Sequence, residues 1–493
     1  MKRVSVVLRG FLPLALACTL VAGAGPARAA DELPSVDAGF GTYELVQMLG
    51  DETPYAGPPT PTSLDAVSMT DQVDGLLTAE ARAKLAERGF VVVPEEFRLF
   101  HHAYDEQYYE GTPVFLTTDA AYNAWHMVFD KTLRDIETRK LSPALEKLLK
   151  GWRRNAKAQA DELLGTALAD DAARVVDLIS VALAELGPGS GKLSARANAE
   201  KRLIDAHSEA TDSPILGTET DYSLFAPRGH YTRTRELRRY FKAMSVLGQH
   251  AFRLPGSVQT DATVVESVDN LRLALLASRS LVGDPKLEAL WRRIFEPTAF
   301  LVGVSDDYTP FELVAAVEAT VPGGMDGVLA ATDDTSLFAV ADALTTARPV
   351  LIDPERPSVR VMGTRFVIDS WIFDQLISPN VGTREDPRVL GSPLDLAAAF
   401  GSDYALAIQD AAGETAKLHY PEQMAAMRGA VAARPDEAWV NTVYDAWLKA
   451  VEPMWLPHGA AFPDFMQGDA WKAKAQQTGF GSYAELKHDT ILY

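Results

Sequence analysis

The sequence predicts an all-α protein: a large multi-helix assembly, layered or toroidal, with at most a small β-ribbon near residues 349–368. Three observations carry that expectation. Capping residues recur directly before prolines, glycines close the apolar runs that follow, and apolar side chains return at helical rather than alternating spacing.

The chain has 493 residues, 47% hydrophobic and 23% charged, a globular balance that excludes a disordered tail, a collagen or a coiled-coil rod. Residues 1–29 read as a signal peptide: Lys2, Arg3 and Arg9 carry charge, Phe11 to Ala22 are apolar, and Ala27-Arg28-Ala29 offers a small-x-small cleavage site. The apolar run is too short for a spanning helix of ~20 residues, contains Pro13, and is closed by Gly23, Gly25 and Pro26. Cys18 sits inside that run without a polar tether after it, which argues against a lipoprotein. Cleavage after Ala29 would remove the chain's single cysteine and take the formal charge from −20 to −24, leaving no disulfide, thiolate metal site or cysteine nucleophile. A periplasmic or extracellular location is therefore expected. No later run approaches ~18 uninterrupted apolar residues, so no membrane span is expected after signal removal. The excess of 67 acidic over 47 basic residues argues against nucleic acid as a partner.

Residues 30–493 are expected to form a single large helical domain, with a subdomain break near 187–220 as the alternative. Along the chain, a helix from Thr78 stops at Gly89, one from Ser142-Pro143 stops at Gly165, and the run from Ala172 to Leu186 stops at Gly187-Pro188. From Arg235 to Gly248, Leu237, Tyr240, Phe241, Met244 and Leu247 form one apolar stripe that another element must cover. Asp284-Pro285, Thr309-Pro310 and Ser392-Pro393 repeat the helix-start signal, because a proline at the first helical position forfeits no hydrogen bond. Pro349 to Asp353, then Val359, Val361, Phe366 and Ile368 around Gly363, are the best strand signal and suggest one ribbon. A last helix is expected to start at Ser482.

Several segments together resemble a bacterial family catalogued as domain of unknown function 3160. They are Phe115-Leu116-Thr117-Thr118-Asp119 leading to His126 and Phe129-Asp130, then Asp221-Tyr222-Ser223, Pro227 to Thr232, and Tyr240 to Met244. Further on come Met362-Gly363, Arg365-Phe366, Asp369-Ser370, Ile372-Phe373, Ser392 to Asp395, Gly401-Ser402 and Glu485 to Thr490. The resemblance runs from about Phe97 to Tyr493 and implies no chemistry, since that family has no assigned activity. It also implies a chain that continues past the His488-Asp489-Thr490 segment.

The helix that begins near Thr118 holds the main chemical candidates. At 100° per residue, Asp119, His126, Asp130 and Glu137 lie within about 20° of one line, beside an apolar stripe of Tyr122, Trp125, Phe129, Leu133 and Ile136. Such a row suits the rim of a cleft, where Asp130 orients the His126 imidazole and a second carboxylate serves as acid, base or ligand. The competing reading is the wet flank of an amphipathic helix. In the Asp221 to Thr232 segment, Arg228 and His230 could receive an anionic or hydroxylated ligand, with Tyr222 and Tyr231 as walls; the competing reading is a structural loop. Glu485 and His488 have the Glu-x-x-His spacing of bundle metal centres, but no second such pair occurs, and Ser482-x-x-Glu485 also reads as a capping box. Adjacent His101 and His102 point to different faces of a helix and chelate poorly.

Absences narrow the field. There is no His-Glu-x-x-His helix and no Gly-x-Ser-x-Gly elbow, and Gly187 to Lys192 lacks the first glycine and the final hydroxyl of a phosphate loop. Asp369 and Asp374 around Trp371 resemble a glycosidase carboxylate pair less than ordinary helix capping. The leading expectation is a secreted or periplasmic hydrolase acting on a glycan or peptide: His126 is general base, Asp130 orients it, Asp119 or Glu137 is acid or ligand, and Tyr222, Arg228 and His230 line the substrate site. A non-catalytic envelope binding or scaffolding protein fits the same residues as polar core networks.

Overall fold

The computed structural model describes residues 54–493 apart from 58, 61–62, 69, 72–74, 76, 95, 112–113, 115, 188–190, 256–260 and 331–333. The signal peptide expected at residues 1–29 lies outside the described residues, as does the centre of the Gly187–Gly191 stretch. Helices dominate, as the capping and spacing patterns predict. Among the described residues no single helix is long and apolar enough to cross a membrane.

The central helix is Ser142–Glu162. Its Leu145, Leu148, Leu149, Trp152 and Ala156 recur every three or four residues and are fully buried, which puts one continuous apolar face inward. That face is covered by Ala169–Leu186, Asp261–Leu281 and Pro285–Leu301. Trp152 keeps its indole N–H satisfied in this core by donating to Ser280 Oγ at 2.9 Å. Ala169–Leu186 also packs against Arg235–Gln249, whose Leu237, Tyr240, Phe241, Met244 and Leu247 are buried as the spacing requires. In the C-terminal part, Pro393–Ala399 packs against Asp403–Ala411 and Tyr420–Ala433, while Val443–Val451 contacts the long final helix Asp469–Asp489. That final helix lies along Thr118–Ile136, so two segments more than 300 residues apart run side by side.

The caps follow the sequence at three of the four prolines. Asp284 accepts from the Lys286 amide, and Thr309 and Ser392 build capping boxes with Glu312 and Asp395. Ser142-Pro143 meets half the expectation: the α-helix begins at Ser142, but Ser142 is its first helical residue and caps nothing, because the rod enters it without a break. Thr118–Ile136 runs through a π-helical turn, Glu137–Leu141, straight into Ser142–Glu162. Pro143 explains the wide turn: it has no N–H for the carbonyl four residues back and its ring crowds that carbonyl, so a continuing helix must loosen just before it.

The structure differs from the sequence reading at three more points. The ribbon does not fold on itself around Gly363; Ser358–Val359 pairs antiparallel with Phe252–Arg253, and Ser305 bridges Arg365. A second short pair, Thr211–Asp212 with Glu219–Thr220, occupies the polar stretch read as a break. Ser482 starts no helix, since it sits inside Asp469–Asp489 and accepts a hydrogen bond from the Trp447 indole at 2.8 Å, so its capping box with Glu485 does not form. We expect Leu148→Ala to cost about 2–5 kcal/mol of unfolding free energy, read from the denaturant midpoint, since the surrounding helices cannot collapse into the space left.

Candidate functional site

Three segments meet where the Thr118–Ile136 helix passes into its π turn: that rod, the short 3-10 turn Gly229–Thr232, and the C-terminal end of the Asp469–Asp489 helix. The π turn presents Glu137, which is fully buried. Its Oε2 lies 2.8 Å from His230 Nε2, and its Oε1 accepts from Tyr231 at 2.6 Å and from Tyr493 at 2.7 Å. Tyr493 spends its proton on Glu137, so Tyr240, 3.1 Å away, donates to Tyr493. Burial first, then the Glu137 charge, hold the Tyr231 and Tyr493 hydroxyls well above their usual range, so both act as neutral donors.

His230 is buried between two carboxylates. Its Nε2 faces Glu137, and its Nδ1 is 3.3 Å from Asp130 Oδ1, at an angle that forms no hydrogen bond. Burial disfavours the imidazolium, but the two flanking carboxylates outweigh it and push His230 up to about 9. Asp130 is buried too; burial would raise its carboxyl, yet His230, Arg233 and Arg134 together hold it at about 2. Arg134, one turn along the rod, reaches Asp130 Oδ2 at 2.8 Å, and the half-exposed Arg233 approaches the same oxygen at 3.4 Å.

His126 lies one turn before Asp130 but does not pair with it. Its Nδ1 is 2.8 Å from Oδ2 of the fully buried Asp489, at the end of the final helix. The expected orienting role of Asp130 therefore passes to Asp489, because the final helix packs against this face of the rod and brings its own carboxylate nearer. The bond to Asp489 raises His126 against the opposing effect of burial, while burial raises Asp489 against the opposing effect of His126. The His126 side chain keeps 19% of its surface open to solvent. Asp489 Oδ1, in contrast, is buried with no hydrogen-bond partner.

The other expected residues fall elsewhere. Asp119 is held two turns earlier by Lys474 Nζ at 2.6 Å and Thr478 Oγ1 at 2.7 Å. Tyr222 is buried in a separate cluster and donates to Glu200 at 2.6 Å, beside His250. Arg228 is exposed. Glu485 accepts from Asn123 at 2.7 Å, so the Glu-x-x-His pair is not a shared chelate. The structure thus joins His126, Asp130, Glu137 and His230 and leaves Asp119, Tyr222 and Arg228 apart. Nor is the row an open rim: the final helix fills it, and Asp130 and Glu137 lie beneath the surface. Surface cavities of about 490 and 690 Å³ occur away from it, one around Ser142, Lys150 and Arg239 and one around Lys157, Asp177 and Arg196.

Sequence reasoning gave Asp489, Arg134, Arg233 and Tyr493 no role. Arg134 carries a signal, four residues after Asp130 on one helix face. So does Asp489, four after Glu485, but which helix that face meets is a tertiary fact.

Gly229 lets the His230 turn approach the final helix. Its φ is +59°, and a Cβ there would stand 3.1 Å from the His488 carbonyl oxygen. We expect Gly229→Ala to lower stability by roughly 1–3 kcal/mol through strain and this contact, and Tyr493→Phe by about 2–3 kcal/mol, since the buried Glu137 carboxylate loses a donor and Tyr240 its acceptor. Thermal and denaturant unfolding check both.

No curated protein and no solved structure matches the chain. A family model described as "Protein of unknown function (DUF3160)" matches residues 78–493, a stretch that holds every residue of the cluster. The chain accordingly belongs to the DUF3160 family, whose activity is unassigned.

Proposed function

We propose that the protein is a hydrolase of the bacterial envelope in which His126 is the general base. The observation that supports this reading is the His126–Asp489 pair. A fully buried carboxylate holds Nδ1 at 2.8 Å, and the ring remains partly open to solvent, so Nε2 is the nitrogen available to a substrate. A carboxylate behind an imidazole fixes its tautomer and stabilises the cation formed when it takes a proton.

In the proposed reaction a water oxygen bonds to the carbonyl carbon of a peptide or ester link, as in a glycan ester, while His126 Nε2 takes the water proton. The bond to the leaving group then breaks, and that proton passes from the imidazolium to the leaving atom. Arg233, 53% exposed and beside Asp130, supplies a fixed positive charge for an acidic group of the substrate. Placement outside the cytoplasm rests on the pattern of residues 1–29.

A non-catalytic envelope scaffold is the second reading. The burial of Asp130, Glu137, His230 and Asp489 favours it, because such groups also serve to pin helices together. The two readings part on one comparison. With pooled peptide, ester and glycan substrates, we expect wild-type turnover and a loss of about 100-fold or more in kcat for His126→Gln, assayed below its melting temperature where circular dichroism shows it folded. Absence of wild-type turnover, with His126→Gln merely less stable, would support the scaffold and reject the hydrolase.

A further inference from the structure

We infer that Asp130, His230 and Asp489 form a binding site for one divalent transition-metal ion of the Zn²⁺ or Mn²⁺ class. The inference goes beyond the hydrolase reading, since such a site would exist in a scaffold as well. One ligand atom from each of the three residues lies within 4.8 Å of the other two, and all three residues are buried. Two of these side chains carry an atom with no hydrogen-bond partner, His230 Nδ1 and Asp489 Oδ1. A buried polar atom left unpaired is costly, so two of them within one group of three residues need a common explanation. A cation between them supplies it.

The remaining polar atoms of the three side chains are all engaged. His230 Nε2 bonds to Glu137, Asp489 Oδ2 bonds to His126, and Asp130 Oδ2 is held by Arg134 and approached by Arg233. This is how metal ligands are commonly oriented: a carboxylate on the far nitrogen fixes the imidazole, and the ion takes the near nitrogen's lone pair as the proton there is released to solvent. Glu137 is thus a positioning residue for His230, and His126 for Asp489. One nitrogen and two carboxylate oxygens suit Zn²⁺ or Mn²⁺ better than Ca²⁺ or Mg²⁺, which favour all-oxygen shells. Donor atoms around a four-coordinate ion at ~2.1 Å stand about 3.4 Å apart. The Asp130 Oδ1 to His230 Nδ1 separation of 3.3 Å already matches that, and a ligand atom of Asp489 stands within 4.8 Å of the group.

The test is titration of the chelator-treated full-length protein with Zn²⁺ alone, followed calorimetrically and by the shift in melting temperature. We expect one equivalent to bind and the melting temperature to rise. Asp489→Asn and His230→Gln should abolish that step, His126→Ala should weaken it about 10–100-fold, and Glu200→Gln, in a separate buried cluster, should leave it intact. Circular dichroism establishes that each variant is folded. Should the ligand variants fail to fold, the optical spectrum of wild type loaded with Co²⁺ distinguishes a low-coordinate imidazole–carboxylate site from hydrated ion. No stoichiometric uptake, binding undiminished in folded Asp489→Asn and His230→Gln, or a hydrated-ion Co²⁺ spectrum would each overturn the inference. Because no substrate is present, a negative result leaves the role of His126 in hydrolysis standing, and failure of the turnover assay leaves the metal site standing.

Discussion

The buried carboxylate of Glu137 is the constraint around which the cluster is arranged. A charge with no solvent contact must be met by donors, or it costs several kcal/mol. Here the donors come from two remote stretches, His230 and Tyr231 in one turn and Tyr493 beyond the final helix. Satisfying Glu137 therefore fixes where both stretches lie against the rod. Once His230 is held through Nε2, its other nitrogen must point toward Asp130, and the final helix brings Asp489 to the same place. The π turn belongs to the same chain of causes. Pro143 loosens the helix, and Glu137 is the first residue of the loosened turn.

Two other buried acids of the fold, Glu200 and Asp369, show what packing alone looks like. Glu200 accepts from Tyr222, Ser213 and His250, and the second nitrogen of His250 is 3.0 Å from the Val246 carbonyl. Asp369 accepts from Tyr444 and Tyr483, with Lys487 at 3.0 Å. Both carboxylates have their two oxygens engaged, as expected of polar groups that join helices. The Asp130–His230–Asp489 group is built from similar residues, yet it retains two unpaired buried atoms and an edge, His126 and Arg233, that solvent reaches. That contrast is the physical ground for assigning it a role in binding rather than in packing alone.

How much of this was legible in the sequence depended on the range of the interaction. Local chemistry was readable: Thr309, Ser392 and Asp284 cap as their neighbouring prolines suggest, and the Arg235 stripe is buried as its spacing requires. The row on the Thr118 helix was readable because 3.6 residues per turn dictates it, and His126, Asp130 and Glu137 do share one neighbourhood. Partners across the fold were not. Asp489 displaced Asp130 as the companion of His126, and Lys474 claimed Asp119, because both depend on how the final helix lies along the rod. Ser142 and Ser482 misled for a related reason: a capping signal marks a helix start only when tertiary packing does not carry the helix through it.

The central claim is that Glu137 and His230 form one tightly coupled buried unit on which the geometry of the whole cluster rests. A double-mutant cycle tests it most directly, with unfolding free energies for Glu137→Gln, His230→Asn and the pair. The account predicts a coupling energy above about 1 kcal/mol, as for charged groups in contact within one network. Effects that add to within about 0.5 kcal/mol would show that the two residues are energetically independent, and would contradict it.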